Sequence, residues 1–236
     1  MLVDIQGVGT VGMAMRHIFR HCFHESLTDV DAVIITNHED YLYDVLTDVL
    51  KWHTGLVIIK CTVRPDILKN IMGLHDKICY VPEFLREKHS LTDATLPEFR
   101  IFGGTKENIA LAEKIFADSH SHPNRIFHMS AEEAAFVKYS INSYLALKVG
   151  FFNDLHDKVK KENLNWYNIS QAITADERIG SSHSEVPGHD GEFGFGGKCL
   201  PKDLEAFIDY TKSDLLREVR NSNEGRRALN KWREIY

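Results

Sequence analysis

Short apolar runs rich in β-branched residues alternate with amphipathic stretches through the first half of this chain, and that alternation limits the fold more than any other feature. The runs are Met1–Gln6, Ala32–Thr36, Leu56–Cys61, Ile78–Val81, Arg100–Gly103 and Ile126–His128. Between them, Met13–Phe23, Tyr41–Trp52, Asp66–Met72 and Glu107–Phe116 have helical spacing. Strands that are nearly all apolar and alternate with helices predict an α/β fold, a parallel sheet covered on both faces. The pattern ends near Met129. Ser130-Ala131-Glu132-Glu133 then reads as a helix N-cap with acids in the first turn. No proline follows until Pro187, so Ala131–Asn163 is expected to be one long helix. Trp166–Thr174, Leu204–Tyr210 and Leu215–Trp232 read as further helices. The expectation is a sheet domain over residues 1–129 and an all-helical domain over residues 130–236.

Gly7-Val8-Gly9-Thr10-Val11-Gly12 follows the first strand and opens the first helix. That is the setting of a dinucleotide-binding turn, whose glycines let a pyrophosphate approach the helix N-terminus. The usual companion is an acid about 20 residues on, at the end of the next strand, where it binds a ribose. Here Glu25, Asp29 and Asp31 all precede the second strand, which instead ends in Thr36-Asn37-His38-Glu39. The interval before Ala32 is too short for another strand and helix, so part of a standard dinucleotide-binding half is absent.

A second glycine-rich loop, Gly194-Phe195-Gly196-Gly197, runs into Lys198-Cys199-Leu200-Pro201-Lys202-Asp203. Pro201 suits the first turn of a helix. Cys199 is then placed at a helix N-terminus, where partial positive charge favours thiolate. Asp203, four residues on, can share its face. A nucleophile, an acid/base carboxylate and a glycine cradle for an anion fall within one turn of one another. The plain alternative is a buried cysteine in a surface loop.

The chain has 236 residues, 43% hydrophobic and 26% charged, which suits a globular protein with a sizeable core. A net charge of −6 argues against nucleic acid and acidic membranes as partners. No apolar stretch approaches a membrane span, and no signal peptide is visible, so a cytoplasmic location is expected. Cys22, Cys61, Cys79 and Cys199 are widely spaced, with no zinc pattern. His17, His21 and His24 lie on one predicted helix, but no third ligand joins the His17 and His21 pair, and no metal site is expected.

Together these residues resemble the UDP-glucose/GDP-mannose dehydrogenases, a family of nucleotide-sugar 6-dehydrogenases. The resemblance runs in order from Gly7 to about Arg227. It includes the glycine turn, Cys61-Thr62-Val63-Arg64-Pro65, Pro82-Glu83-Phe84-Leu85-Arg86-Glu87, and Ala134–Asn153 with Lys138 and Asn142. It continues through Asp176-x-Arg178-Ile179-Gly180, the Gly194–Asp203 segment and Asn223-Glu224-Gly225-Arg226-Arg227. Members usually carry a further nucleotide-binding domain beyond the central helices, so the expectation is a shortened member. The fold implied is an abbreviated Rossmann-like sheet followed by a helical dimerisation domain.

The resemblance implies oxidation of a sugar C6 alcohol to a carboxylate by two hydride transfers to NAD, with Cys199 passing through a thiohemiacetal and a thioester. It implies that Lys138 and Asn142 stabilise an oxyanion. Asp203, Thr62 and Glu83 would position and deprotonate water. It assigns cofactor binding to Gly7, Val8, Gly9, Thr10, Val11, Gly12, Thr36, Cys61, Glu87 and Lys202. It assigns nucleotide-sugar binding to Phe84, Leu85, Arg178, Glu192, Phe193, Gly194, Phe195 and Gly196, with Arg178 often acting across a homodimer built on the long helix. Each residue alone has a plainer reading: Lys138 as a snorkelling lysine, Asn142 as a satisfied amide, Thr62 as a strand-end hydroxyl, Glu83 and Glu87 as loop acids, Arg178 as half of a surface ion pair. Two other activities fit the same residues, a non-catalytic sugar-nucleotide binder and a two-electron hydroxyacid-type dehydrogenase that needs no cysteine.

Overall fold

Ala32–Ile35 and Leu56–Ile59 are wholly apolar and mostly β-branched, and each is a strand buried along its full length. The computed structural model describes residues 1–23 and 29–233, with side chains for all of these except 87 and 229–233. The elements are β1 Val3–Gln6, α1 Thr10–Ile18, β2 Ala32–Ile35, α2 Glu39–Val49, β3 Leu56–Ile59, α3 Pro65–Met72 and β4 Ile78–Tyr80. A short 3₁₀ turn at Glu87–His89 leads to α4 Ser90–Thr95, β5 Phe99–Gly103, α5 Lys106–Ala117 and β6 Arg125–Met129. Helices α6 Ala131–Lys161, α7 Trp166–Thr174, α8 Cys199–Thr211 and α9 Asp214–Arg233 complete the chain. The fold is therefore a Rossmann-like α/β sheet followed by a helical domain with one long helix, as expected. It divides into two units, Met1–Lys138 and Tyr139–Tyr236.

In the first unit the six strands lie in sequence order, β1-β2-β3-β4-β5-β6. Alternation along the strands separates two cores. Val3, Ile5, Ile34, Ile58 and Cys79 face α1 and α5, whereas Val33, Ile35, Val57, Ile59 and Tyr80 face α2, α3 and the start of α6. The steps from β1 to β2, β2 to β3 and β3 to β4 run the same way across the sheet, yet α1 covers the opposite face from α2 and α3. The β1–α1–β2 crossover therefore has the opposite hand to the next two, although parallel crossovers normally share one hand. The standard dinucleotide-binding order is 3-2-1-4-5-6, in which the fourth strand lies beside the first. Without its second and third strands, that layout leaves the neighbours seen here.

Three expectations change. The sheet is not wholly parallel: β5 pairs β4 antiparallel, and β6 follows β5. The six-residue α4 is about 9 Å long, too short to carry the chain back along a strand of ~17 Å. The sheet is also not covered throughout, since Arg125–His128 of β6 are exposed. Finally, α1 stops at Ile18 rather than Phe23, so His21 is not on the helix with His17. Phe19 and Cys22 turn into the core, and the Val3 N–H donates to the Cys22 carbonyl at 3.0 Å, drawing the chain along the outer edge of β1. His24 and Glu25 lie outside the described residues.

In the second unit, Ala146, Phe195, Leu204, Ile208 and Val219 form the core, joining α6, α8, α9 and the glycine-rich loop. Where α6 begins, Ser130 and Glu133 cap it reciprocally: the Glu133 N–H donates to Ser130 Oγ at 3.2 Å, and the Ser130 N–H donates to Glu133 Oε2 at 2.8 Å. Among the described residues no helix is long and apolar enough to cross a membrane.

Candidate active site

The turn between β1 and α1 shows why its glycines stand where they do. Gly7 has φ +111°, and a Cβ there would lie 2.4 Å from Thr36 Oγ1. A Cβ on Gly12 would meet the Gly7 carbonyl oxygen at 2.3 Å. Thr36 itself donates to the Gln6 carbonyl at 2.8 Å, tying the ends of β1 and β2 together beneath the turn. Gly9, the N-cap of α1, is different: nothing lies within 4 Å of a Cβ built there, and Val8 beside it is exposed. Thr10 and Val11 open the helix. The open Gly9 face at a helix N-terminus fits the approach of a diphosphate. Asn37 Oδ1, 3.2 Å from where a Gly7 Cβ would be, is buried without a hydrogen-bond donor. No acid stands at the end of β2; the first beyond it, Glu39, already opens α2.

Cys61 and Thr62 begin the link from β3 to α3, with Cys61 buried and Thr62 half-buried. After β4, Glu83 is held from two sides. Its Oε2 accepts from the Leu85 N–H at 2.8 Å, and its Oε1 lies 3.4 Å from Lys138 Nζ. The Lys138 ammonium, buried on α6, also stands 5.0 Å from the centre of the Phe84 ring. Lys138 is thus no snorkelling surface lysine. Glu87 opens the 3₁₀ turn, and its side chain lies outside the described residues.

In the second unit, Cys199 is the first residue of α8 and Pro201 the third. Cys199 is exposed, whereas Cys22, Cys61 and Cys79 are buried. Burial pushes the Cys79 thiol up to about 12 and also raises that of Cys22. Asp203, one turn beyond Cys199, is 2% exposed. Its Oδ2 accepts from Asn142 Nδ2 at 2.5 Å. Lys202 Nζ lies 3.0 Å from Oδ1 as an ion pair, but without hydrogen-bond alignment, so Oδ1 is a buried acceptor with no donor.

The loop before α8 is clasped by three residues from elsewhere in this unit. Asn153 Oδ1 accepts from the Gly194 N–H at 2.8 Å. Asn223 Oδ1 accepts from the Phe195 N–H at 2.7 Å, while its Nδ2 returns a bond to the Phe195 carbonyl at 3.0 Å. Arg227 donates to the carbonyls of Phe195 and Gly194, both at 3.2 Å, and pairs Asp190 at 2.8 Å. This leaves no room for side chains at two glycines: a Cβ on Gly194 would lie 2.4 Å from Asn223 Oδ1, and one on Gly196 2.4 Å from Arg227 Nη2. Phe193 sits 5.5 Å from the His156 ring, and Glu192 is half-buried. Arg178 makes a bidentate pair with Asp176 at 3.0 and 2.6 Å, with its side chain exposed.

With this geometry in view, residues 132–225 match the central-domain model of the UDP-glucose/GDP-mannose dehydrogenase family. Over these residues the chain carries that family's central domain. It is 33% identical over 224 residues to the UDP-glucose 6-dehydrogenase of Campylobacter jejuni, covering 87% of this chain and 56% of that protein. The chain thus spans about half the length of the curated relatives it matches. Among solved structures, UDP-D-ManNAc dehydrogenase from Pyrococcus horikoshii aligns with TM-score 0.81 at 20% identity, over 97% of this chain and 69% of that one. The 3-hydroxyisobutyrate dehydrogenase of Mycobacterium tuberculosis aligns with TM-score 0.77 at 15% identity, over 94% and 92%. At these identities the structural likeness speaks for the fold.

Sequence reasoning assigned no role to Asn153, Asn223, Arg227 or Asp190. Asn223 and Arg227 do stand in a segment that carries the resemblance. Their task of holding the glycine loop from as far as 41 residues away leaves no local signal.

Proposed function

We propose that this chain carries out the thiol-dependent chemistry of a nucleotide-sugar 6-dehydrogenase, oxidising a C6 alcohol to the acid. The observation that carries the reading is Cys199, exposed at the N-terminus of α8, with the buried, Asn142-bonded Asp203 one turn beyond it. NAD bound at the open face of Gly9 supplies the hydride acceptor, and Gly7–Gly12, Thr36, Cys61, Glu87 and Lys202 are its proposed binding residues.

The Cys199 sulfur is accessible and adds to the carbon of an intermediate aldehyde as thiolate, favoured by the positive end of α8. The thiohemiacetal oxygen takes the proton. Once the adduct has reached the thioester, water attacks the acyl carbon and the thiol leaves. Asp203 Oδ1, buried and without a donor, accepts a hydrogen from that water, while Asn142 holds the other oxygen in place. Lys138, Glu83 and Thr62 are proposed for oxyanion stabilisation and water positioning. Phe84, Leu85, Arg178 and Glu192–Gly196 are the proposed nucleotide-sugar contacts. Arg178, far out on its turn and paired only locally in one protomer, suits a role toward a partner copy.

Two NADH formed per sugar from a panel of UDP- and GDP-sugars, with acid as product, is the expected result, and Cys199→Ala is expected to stop net conversion to acid. A Cys199→Ala protein that retains full turnover supports a two-electron hydroxyacid-type dehydrogenase. Nucleotide-sugar binding without turnover supports a non-catalytic binder.

A further inference from the structure

Lys60, directly after β3, and Arg100, in β5, are 5% and 7% exposed. Both lie over the same Phe116 ring, at 5.5 and 4.2 Å from its centre. They line a cavity of about 40 Å³ together with Pro82, Glu83, Phe99 and Ala94. Among the described residues neither cation has a carboxylate within ion-pair distance. The acids at the cavity are already engaged: Glu83 by Lys138 and the Leu85 N–H, Asp93 by a bidentate pair with Arg86 and by the Arg86 N–H. Arg100 donates to Ser121 Oγ, which in turn bonds the Ala94 carbonyl. Among the described residues Lys60 Nζ makes no hydrogen bond; it stands over the Phe116 ring, with Arg100, Glu83 and Lys138 near enough to act on its charge.

We infer that this cavity is a binding site for a small monovalent anion of halide size, held between Lys60 and Arg100 in the sheet domain. Buried charges in proteins are paired, because an isolated one forfeits its hydration with nothing in return. Here two like charges share one apolar ring and line one small, partly open cavity. The volume suits one particle, since a water takes up about 30 Å³. A monatomic anion supplies the missing countercharge and accepts from the Lys60 ammonium. The alternative is a water beside a neutral amine. Burial first, then the Arg100 guanidinium and, behind them, Lys138 hold the Lys60 ammonium down at about 7 against the help of Glu83, so an anion beside it would favour the charged form. The cavity borders Glu83, Phe84 and Leu85 of the proposed active site, but its test does not depend on turnover.

The experiment is diffraction from crystals of the full chain grown or soaked in sodium bromide, with anomalous data collected at the bromine edge. It is paired with thermal unfolding in bromide and in gluconate at equal ionic strength. An anomalous peak in the Lys60–Arg100 cavity, with a saturable rise in Tm in bromide, is the expected result. Lys60→Met should abolish the Tm rise while leaving the fold's circular dichroism intact. Should Lys60→Met not fold, the anomalous peak in the unaltered protein decides alone. A cavity holding water or nothing, with the same Tm in both salts, overturns the inference.

Discussion

Asp203 shows how much a single side chain can be asked to do by its surroundings. One oxygen is bonded to Asn142 and the other is buried with no donor, a state that costs about 1–3 kcal/mol unless something fills it. Such costs are tolerated where a water or substrate hydroxyl supplies the missing bond. His53 is the opposite case, a buried side chain whose role is structural. It is 3% exposed, donates from Nε2 to the Leu56 carbonyl at 3.2 Å, and fills the space over Gly55, where a Cβ would lie 2.7 Å from the ring. Burial holds the imidazole below its ordinary 6.5, outweighing the Leu56 carbonyl's pull the other way. The unfolded chain therefore takes up this proton first as pH falls. Its contribution to stability is complete above about 6.5 and is lost below it. Urea unfolding at pH 8 and pH 5.5 should show a smaller acid loss for His53→Gln than for the unaltered protein, and equal losses would refute this role.

At the level of elements, the glycine turn and the glycine loop obey one rule with different partners. Gly7 and Gly12 are glycine because β2 and the turn's own backbone press on them. Gly194 and Gly196 are glycine because Asn223 and Arg227 do. Gly9 alone in its turn faces open space. The two kinds should separate cleanly. Gly12→Ala forces a Cβ into the Gly7 carbonyl and should cost about 1–3 kcal/mol of stability, seen as a lowered urea midpoint. Gly9→Ala should leave that midpoint nearly unchanged and raise the Kd for NAD in a calorimetric titration. An Ala at Gly9 with unaltered NAD affinity would remove this turn from the cofactor site. The sequence reveals both glycine clusters because turns are local. It does not reveal the clasping residues, because Asn153 and Asn223 act from 41 and 28 residues away.

For the molecule as a whole, α6 leaves Phe136, Tyr144 and Phe151 exposed at 46%, 58% and 56% along one side. A helix read as apolar nearly all round thus keeps these three rings at least 46% exposed among the described residues, in keeping with the proposed homodimer. Sedimentation equilibrium should give twice the chain mass of 27.0 kDa. Combining Tyr144→Glu with Phe151→Glu should return it to the single-chain value, with helicity unchanged. A monomer in the unaltered protein would exclude this interface.

The sequence alone determined the succession of strands and helices apart from the short α4, the reach of α6 within two residues, both glycine loops and the position of Cys199 at a helix start. Those properties rest on side-chain periodicity, β-branching, capping and the φ freedom of glycine, all expressed over a few residues. Only the tertiary structure decided which of the four cysteines is exposed, that Asn142 meets Asp203 across 61 residues and that Lys138 is buried against Glu83. The reversal at β5, the opposite hand of the first crossover and the two cations trapped over Phe116 belong there too. Burial and pairing of this kind depend on which distant surfaces come together, and neither composition nor spacing carries that information.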